Sequence, residues 1–261
     1  ITVNHLRYAI GGGATNSAVS FARLGCHAAT FFKTGNDTAG KKIIDAMHAE
    51  HITVHHAVSK DLPTGTSFIL PSPHHDRIIF TYRGANNAIT QQELSDHLFD
   101  QYECVYITSL SEQVGTLLPN LTHNAQKKIV NNGIKVVVNP GTSQLQQNTK
   151  PLKQALTNID VLIMNAEEMA LFMESLNPHF QSKKIGLVID GPPLMQKVLI
   201  QNQISFTLHE YFHEIAQGGI KYAVVTNGKD GVYVATPNHL YYHPSLPVIA
   251  INAVGAGDAF G

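Results

Sequence analysis

The stretch NAVGAGDAFG, residues 252–261, combines backbone and side-chain groups that could carry out chemistry. Gly255, Ala256 and Gly257 would present consecutive backbone N–H groups, and such groups at a helix start attract anions. The next residue, Asp258, is either the cap of that helix or a base that takes a proton from a hydroxyl group. Capping does not require a glycine on both sides of an alanine, which favours the catalytic interpretation.

A second candidate site lies in NAEEMALF, which follows an apolar strand. Asn165 and Glu168 are three residues apart, so they share a face in the first turn of a helix. An amide and a carboxylate there could hold phosphate oxygens and a hydrated magnesium ion. The alternative is an acidic first turn that only complements the helix dipole.

Three consecutive glycines, Gly11, Gly12 and Gly13, precede Asn16 in IGGGATNSA. Bare backbone would allow a ligand to lie against the main chain, with Asn16 offering both a donor and an acceptor. Taken alone, the pattern fits a simple glycine turn equally well.

The stretch GNDTAGKK, residues 35–42, comes close to a P-loop. A working P-loop needs Ser or Thr after its lysine, because that hydroxyl holds the magnesium ion, and position 42 is Lys. We therefore expect an ordinary turn, in which Asp37 or Thr38 caps the next helix.

Composition narrows the class of protein. The 261 residues include 43% hydrophobic residues and nearly balanced charges, with 18 basic and 19 acidic side chains. We expect a globular core and neither nucleic-acid nor membrane binding. Two cysteines, with no apolar run of roughly 18 residues, suit a soluble cytoplasmic protein. The chain begins at Ile1 and stops where a helix should start, so we expect further residues at both ends.

The 15 histidines raise the question of a metal site. The pairs His55–His56 and His74–His75 are adjacent, so on a strand their side chains point to opposite faces. Solvated loop histidines are therefore favoured over a dedicated metal centre.

Helix and strand patterns alternate along the chain, and several predicted strands are continuous apolar runs. Strands buried on both faces have this composition, so the sequence predicts an α/β fold with a mainly parallel central sheet and helices on both faces. In such sheets ligands bind beyond the carboxyl ends of the strands. The polar or glycine positions there are Asn139, Asn165, Thr226 and Gly228.

Two helix boundaries are predicted from capping patterns. Thr90 and Glu93 have capping-box spacing, with Ile89 and Leu94 as a hydrophobic staple, and they predict a helix through NAITQQELSDHLF. A second helix, through AQKKIVNN, is predicted to end at Gly133.

Residues 63–84 interrupt the alternation of helices and strands. Two β-rich pieces, Phe68–Leu70 and Ile78–Tyr82, flank a turn rich in proline and histidine and predict a hairpin. A hairpin inserted between α/β units would serve as a flap or lid. Residues 177–205 fit no predicted element, and whether IGLVID within them joins the sheet is left open.

Taken in order, these motifs resemble those of the ribokinase-like (PfkB) carbohydrate and nucleoside kinases. GGGATNSAVSFARLG followed by GNDTAG resembles the family's N-terminal signature, NAEE its Asn-x-x-Glu motif, and NAVGAGDAF its C-terminal signature. The resemblance implies a single ribokinase-like domain over residues 1–261, truncated at both ends. It also implies a small β lid, formed by about residues 1–10 and 63–84.

The resemblance further implies an ATP-dependent phosphotransferase that acts on a hydroxymethyl group of a sugar or nucleoside with magnesium. Asp258 would be the catalytic base, and Gly255, Ala256 and Gly257 the anion hole. A homodimer joined through the lid is an additional expectation. The implied binding residues are Asn165, Thr226 and Gly228 for the nucleotide, Glu168 for magnesium, and Gly11, Gly12 and Asn16 for the acceptor.

The chain departs from the family where Asp-Thr usually precedes the glycine loop, because Asn252 and Ala253 stand there. The family's aspartate often helps to bind an activating monovalent cation, so potassium dependence is left open. The departure also keeps an alternative function open: a catalytically impaired regulatory protein that binds nucleotide and sugar on the same fold. An intact Asp258 argues against that alternative. The family's upstream acidic sugar contact falls before Ile1, so the identity of the acceptor stays open as well.

Overall fold

The computed structural model describes residues 6–71, 77–94, 96–130, 133–248 and 255–260. The chain forms two compact units. Unit 1 comprises Ile1–Ile89 together with Asn252–Gly261, and unit 2 comprises Thr90–Ile251. Unit 2 is therefore inserted into the sequence of unit 1.

The elements alternate between helix and strand for most of the chain. The α-helices are α1 (Gly13–Arg23), α2 (Thr38–Ala49), α3 (Glu112–Gly115), α4 (Leu118–Lys128), α5 (Thr142–Gln147), α6 (Lys150–Ala155), α7 (Ala166–Leu176), α8 (Leu208–Gln217) and α9 (Ala256–Phe260). The strands are β1 (Ala29–Gly35), β2 (Thr53–Ser59), β3 (Thr66–Pro71), β4 (Arg77–Tyr82), β5 (Val105–Ile107), β6 (Val136–Val138), β7 (Val161–Asn165), β8 (Leu199–Gln201), β9 (Ile204–Phe206), β10 (Tyr222–Thr226), β11 (Val232–Ala235) and β12 (Leu240–His243). Short 3-10 helices span Gly84–Ala88, Gln91–Glu93, Asp96–Phe99, Leu156–Asn158, Pro193–Met195 and Gly228–Asp230.

Unit 2 is built on a six-stranded sheet with the order β12-β11-β10-β7-β6-β5. The strands β5, β6, β7 and β10 are parallel, whereas β11 and β12 continue the sheet in antiparallel orientation. The predicted α/β class with a mainly parallel central sheet is therefore confirmed. Within the described part of the chain, every helix is too short or too polar to span a lipid bilayer.

The apolar strand β7 is buried on both faces, which explains its unbroken hydrophobic sequence. Leu162 and Met164 join the large core formed with helices α4, α6, α7 and α8. Val161 and Ile163 point the other way, into a smaller apolar cluster that includes Val224 of β10. The alternation of the two sets follows from the two-residue period of a strand.

A buried carboxylate lies at the amino ends of three parallel strands. Asp160, immediately before β7, is 3% exposed. Its Oδ2 accepts hydrogen bonds from the backbone N–H groups of Lys135 (2.8 Å) and Val136 (3.0 Å) and from Nε2 of Gln126 (2.7 Å). Nζ of Lys221, which precedes β10, lies 2.6 Å from Oδ1. Burial alone would raise the pKa of Asp160, but these hydrogen bonds hold it below its ordinary value.

Unit 1 contains a separate two-stranded parallel sheet, β1 with β2. Its small core joins Ala18 of α1, Phe32 of β1 and Met47 of α2 with Ile52. Helix α1 is followed by Gly25, which adopts the left-handed conformation with φ +92° and whose N–H donates to the Ala22 oxygen, a common way to end a helix.

The predicted hairpin is confirmed. Strands β3 and β4 pair in antiparallel register, with Phe68 opposite Phe80 and Ile69 opposite Ile79. The turn between the arms, residues 72–76, lies outside the described residues, and so do residues 1–5 of the expected lid.

The helix predicted from Thr90 and Glu93 is wrong, although the capping contact forms. The Glu93 carboxylate accepts hydrogen bonds from the backbone N–H (2.9 Å) and the hydroxyl (3.2 Å) of Thr90. Leu94 then leaves helical geometry, with φ −94° and ψ 64°, and its side chain is buried. The chain forms the two short 3-10 helices 91–93 and 96–99 because burial of Leu94 outweighs continuation of the helix.

The predicted helix end at Gly133 is also wrong, because α4 stops at Lys128. Ile129 adopts extended geometry, with φ −70° and ψ 118°, and enters the large core at 2% exposure. The segment IGLVID, left open above, lies outside the sheet in turns and irregular backbone. The short hairpin of β8 and β9 follows it.

We predict that Asp160→Ala destabilises the protein by about 2–4 kcal/mol, because it leaves buried N–H donors without an acceptor. Lys221→Met should cost no more than about 1 kcal/mol, since that side chain is 56% exposed. Chemical denaturation at pH 7 measures both.

The pH dependence of stability gives a further check on Asp160. Because its folded-state pKa is depressed, the stabilisation is present above about pH 4 and is lost as the pH falls through the folded-state pKa. The loss caused by Asp160→Ala should therefore shrink in acid, and equal losses for the two variants at pH 7 would contradict the role of Asp160.

Candidate active site

In unit 1 the structure brings the first and last sequence motifs into contact. Nδ2 of Asn16, in the first turns of α1, donates to Oδ2 of Asp258 at 2.8 Å. The hydroxyl of Ser17 donates to the backbone oxygen of Asp258 at 3.1 Å. Two adjacent side chains of α1 therefore hold both the carboxylate and the main chain of the aspartate.

The glycines before Asn16 form an exposed stretch of backbone. Gly11 and Gly12 are exposed, and Gly12 has φ +110° at the point where the chain turns into α1. The hydroxyl of Thr15 donates to the carbonyl oxygens of both glycines at 2.9 Å, which fixes the turn. Bare backbone and the Asn16 amide thus lie next to each other, as a small polar ligand would require.

Helix α9 starts directly after Gly255, whose φ of +78° favours glycine. The backbone bond from Ala259 N–H to the Gly255 oxygen, at 2.9 Å, opens the helix. The N–H groups of Ala256, Gly257 and Asp258 come too early in the helix for an intrahelical acceptor. A Cβ on Gly257 would meet no atom within 4 Å, so the space beside this turn is open. Residues 252–254, including Asn252 and Ala253, lie outside the described residues.

In unit 2 Asn165 and Glu168 cap each other at the start of α7. Oδ1 of Asn165 accepts from the Glu168 N–H at 2.9 Å, and Oε2 of Glu168 accepts from the Asn165 N–H at 3.0 Å. Oε1 of Glu168 accepts from the hydroxyl of Thr142 at 3.2 Å. Burial raises the pKa of the Glu168 carboxyl, although these hydrogen bonds oppose the shift.

Thr226 and Asn165 are register partners at the carboxyl ends of the adjacent parallel strands β10 and β7. Gly228, two residues on, is exposed, and a Cβ there would meet nothing within 4 Å. The turn after β10 is fixed by Asn227, whose Nδ2 donates to Asp230 at 3.0 Å. The predicted nucleotide-binding positions therefore lie at or just beyond the carboxyl ends of adjacent strands of the sheet in unit 2.

The site residues fall into two groups, each within one unit. Unit 1 brings together the predicted acceptor and base positions, and unit 2 contains the predicted nucleotide and magnesium positions. In the described part of the chain, His, Cys, Asp and Glu do not form a group of three or more suited to a metal ion. Among the described residues, Glu168 is therefore a carboxylate that accepts hydrogen bonds from its neighbours, and it is not a member of an acidic cluster.

The P-loop alternative does not fit the geometry of residues 35–42. The Asp37 carboxylate occupies the start of α2, where Oδ1 accepts from the Gly40 N–H at 2.8 Å. A Cβ on Gly40 would come within 2.9 Å of the Gly35 oxygen, so this glycine serves close packing. The expected capping turn is confirmed.

The sequence motifs do not single out Ser17 and Thr142, whose hydroxyls donate to Asp258 and Glu168. Ser17 follows Asn16 directly, and its hydroxyl is buried against Asp258. Thr142 stands just beyond β6, where polar residues past a strand end are the available signal.

The whole chain, residues 1–261, matches the family model described as pfkB family carbohydrate kinase. The chain belongs to the pfkB family. It is also 24% identical over 260 residues to the ribokinase of Staphylococcus aureus (strain COL), covering 99% of this chain and 74% of that protein. The family predicted from the motifs is therefore confirmed.

Two solved structures illustrate that other proteins have a similar fold. The adenosine kinase of Anopheles gambiae, in complex with P1,P4-di(adenosine-5) tetraphosphate, gives a TM-score of 0.78 at 18% identity over 97% of this chain and 72% of that one. A putative ribokinase II of E. coli, in complex with ATP and Mg2+, gives 0.71 at 17% identity over 100% and 77%. These likenesses show a ribokinase-like α/β fold.

We predict that Glu168→Gln gains stability relative to the wild type as the pH rises from 4 to 7. Burial raises the folded-state pKa of this carboxyl, so ionisation above the unfolded value of about 4.3 costs the folded protein. Glutamine keeps the acceptor for the Asn165 N–H and removes the charge. Thermal or denaturant unfolding at both pH values measures the difference, with Glu167→Gln at the exposed neighbouring position as control. A difference that does not change with pH would contradict the prediction.

Proposed function

We propose that this pfkB protein is an ATP-dependent kinase that phosphorylates a hydroxymethyl group of a sugar or nucleoside. The observation that carries the proposal is the hydrogen bond between Asn16 and Asp258. It places a carboxylate beside exposed glycine backbone that suits a polyhydroxylated acceptor. Family membership supports the same chemistry, as do relatives named for ribose and adenosine phosphorylation.

In this proposal unit 1 binds the acceptor and supplies the base. Gly11, Gly12 and Asn16 hold acceptor hydroxyls, and Asp258 takes the proton from the hydroxyl that is phosphorylated. Gly255, Ala256 and Gly257 form the anion hole, in which backbone N–H groups stabilise the charge that develops on the transferring phosphoryl group. Phosphoryl transfer depends mostly on such positioning and charge stabilisation.

Unit 2 binds the nucleotide in the same proposal. Thr226, Gly228 and Asn165 lie along it, at the carboxyl ends of β10 and β7. Since both carboxylate oxygens of Glu168 already accept hydrogen bonds, this residue would hold magnesium through its water shell rather than directly. ATP and magnesium are proposed as the cosubstrate and cofactor because a neighbour in fold was solved with both.

The hairpin of β3 and β4 is proposed as the lid of the acceptor site, together with about residues 1–10. The lid is proposed to belong to a single domain that spans residues 1–261. Phe68, Leu70, Ile78 and Phe80 lie on one face of the hairpin and are 49–64% exposed. Covering an acceptor, or pairing with the same face of a second copy, would remove these apolar side chains from water. A homodimer through the lid and a cytoplasmic location are part of the proposal.

A screen of ADP release over ribose, fructose, adenosine and inosine tests the proposed activity. The alternative of a regulatory protein that binds without turnover rests on Asn252 and Ala253, where the family usually has Asp-Thr. Turnover with any acceptor supports the kinase. Binding of nucleotide and sugar without ADP release would favour the regulatory protein.

We predict that Asp258→Asn lowers the turnover number by roughly 10²–10⁴-fold, the usual contribution of a general base. The affinity for ATP should stay within a few-fold, because the substituted side chain would keep an oxygen acceptor for the Asn16 amide. Coupled ADP release gives the rate, and calorimetry gives the ATP affinity. Asp61→Asn, at an exposed position in unit 1, is the matched control. Wild-type turnover in Asp258→Asn would reduce this aspartate to a helix cap.

We predict that Glu168→Gln needs a higher magnesium concentration for half-maximal rate, while the KM for the acceptor is unchanged. The neutral amide attracts a hydrated cation less strongly than the carboxylate does. Rates measured across a magnesium titration, with Glu167→Gln as control, separate the two effects. An unchanged magnesium curve would leave Glu168 with a structural capping role alone.

A further inference from the structure

The root of the hairpin, defined as residues 62–65 and 83–85, is held by one carboxylate. Oδ2 of Asp37 accepts from the Thr64 N–H at 2.8 Å, and Oδ1 accepts from the Thr64 hydroxyl at 2.6 Å. The Thr64 hydroxyl oxygen in turn accepts from the Gly35 N–H at 3.0 Å. Thr64 is 4% exposed, so these bonds are shielded from water.

The same carboxylate caps helix α2 through its bond from the Gly40 N–H. Asp37 therefore ties the hairpin root to the start of α2 and, through Thr64, to the end of β1. Hydrogen bonds from the Thr64 hydroxyl, the Thr64 backbone and Gly40 lower the pKa of Asp37. The carboxylate is consequently charged at neutral pH.

Backbone packing at the root is close enough to exclude side chains. A Cβ on Gly35 would lie 2.7 Å from the Leu62 oxygen, and a Cβ on Gly65 would lie 2.7 Å from the Arg83 oxygen. A Cβ on Gly84, which has φ +51°, would collide with the Pro63 oxygen. That oxygen also accepts from the Ala85 N–H at 2.9 Å, which closes the root.

The arms beyond the root contrast with it, because their large apolar side chains stay exposed. Phe68 is 64% exposed and Phe80 is 59% exposed. A two-stranded hairpin is marginally stable on its own. The direction in which this hairpin extends from the rest of unit 1 must therefore be set at its root.

We propose that Asp37 and Thr64 are positioning residues that set the angle of the hairpin and so its closure over the acceptor. The proposal rests on the proposed function, in which the hairpin is the lid. Loosening the root should weaken acceptor binding and admit water to the transferring phosphoryl group. It should leave binding of the nucleotide, assigned to unit 2, unchanged.

The test compares Thr64→Val, which removes the hydroxyl at similar volume, with Thr64→Ser, which keeps it. Thr53→Val removes an exposed hydroxyl from β2 of the same unit, outside the hairpin, and is the matched control. Asp37→Asn is the second variant if Thr64→Val does not fold, because its amide oxygen can still cap α2. Hydrogen exchange of the protein without ligands should be at least fivefold faster in residues 66–71 and 77–82 of Thr64→Val, relative to α1. Thr64→Ser and Thr53→Val should resemble the wild type.

Kinetics supply the second readout. Thr64→Val should raise the KM for the acceptor at least fivefold, leave the KM for ATP within twofold, and increase ATP hydrolysis relative to phosphoryl transfer. Thr64→Ser should restore all three values. Unchanged exchange in the hairpin, or faster exchange without a change in the acceptor KM and hydrolysis, would overturn the positioning role alone. Absence of wild-type turnover in the ADP-release screen would instead overturn the proposed function, and the positioning role with it.

Discussion

The alignment of the parallel strands in unit 2 depends on the buried carboxylate of Asp160. A charge in the interior is costly unless nearby donors satisfy it, and Asp160 has donors from the main chain and from two side chains. Its backbone takes part as well: its N–H donates to Val136, and its oxygen accepts from Lys221 and Tyr222. These bonds fix the positions of β6, β7 and β10 relative to one another at their amino ends.

At their carboxyl ends β7 and β10 finish in register, whereas β6 ends opposite Leu162 of β7. Nδ2 of Asn139, just past β6, donates to the Ile163 oxygen of β7 at 2.9 Å, and Thr226 stands opposite Asn165. The amino ends of these strands therefore carry a stabilising ion pair, whereas their carboxyl ends carry the polar side chains proposed to bind the nucleotide. Glu168 has both a stabilising role and a proposed functional role, since its carboxylate caps α7 and is also the group proposed to serve magnesium. The structural and functional interpretations of Asn165 and Glu168 are thus compatible.

Much of the fold could be predicted from local patterns, and the errors have a common cause. The apolar run of β7, the glycine after α1 and the arms of the hairpin were each determined by their own residues. The predicted helices that failed do so at Leu94 and Ile129, where burial of one side chain in the core competes with helical geometry. No local pattern reports that competition. In the site, the motif residues were visible as glycines and acids, but the hydroxyls of Ser17 and Thr142 contact groups 241 and 26 residues away. Such partners depend on the tertiary structure.

The contact between Asn16 and Asp258 spans 242 residues, and the whole of unit 2 lies between them in the sequence. Contacts of such long sequence separation form late, because the entropy of closing the chain must first be overcome. During synthesis on the ribosome, unit 2 emerges and can fold while α1 still lacks its partner helix. A nascent or prematurely terminated chain would therefore contain the unit assigned to the nucleotide without the aspartate assigned to proton transfer. The proposed acceptor and base positions are thus brought together only after Asp258 has been synthesised.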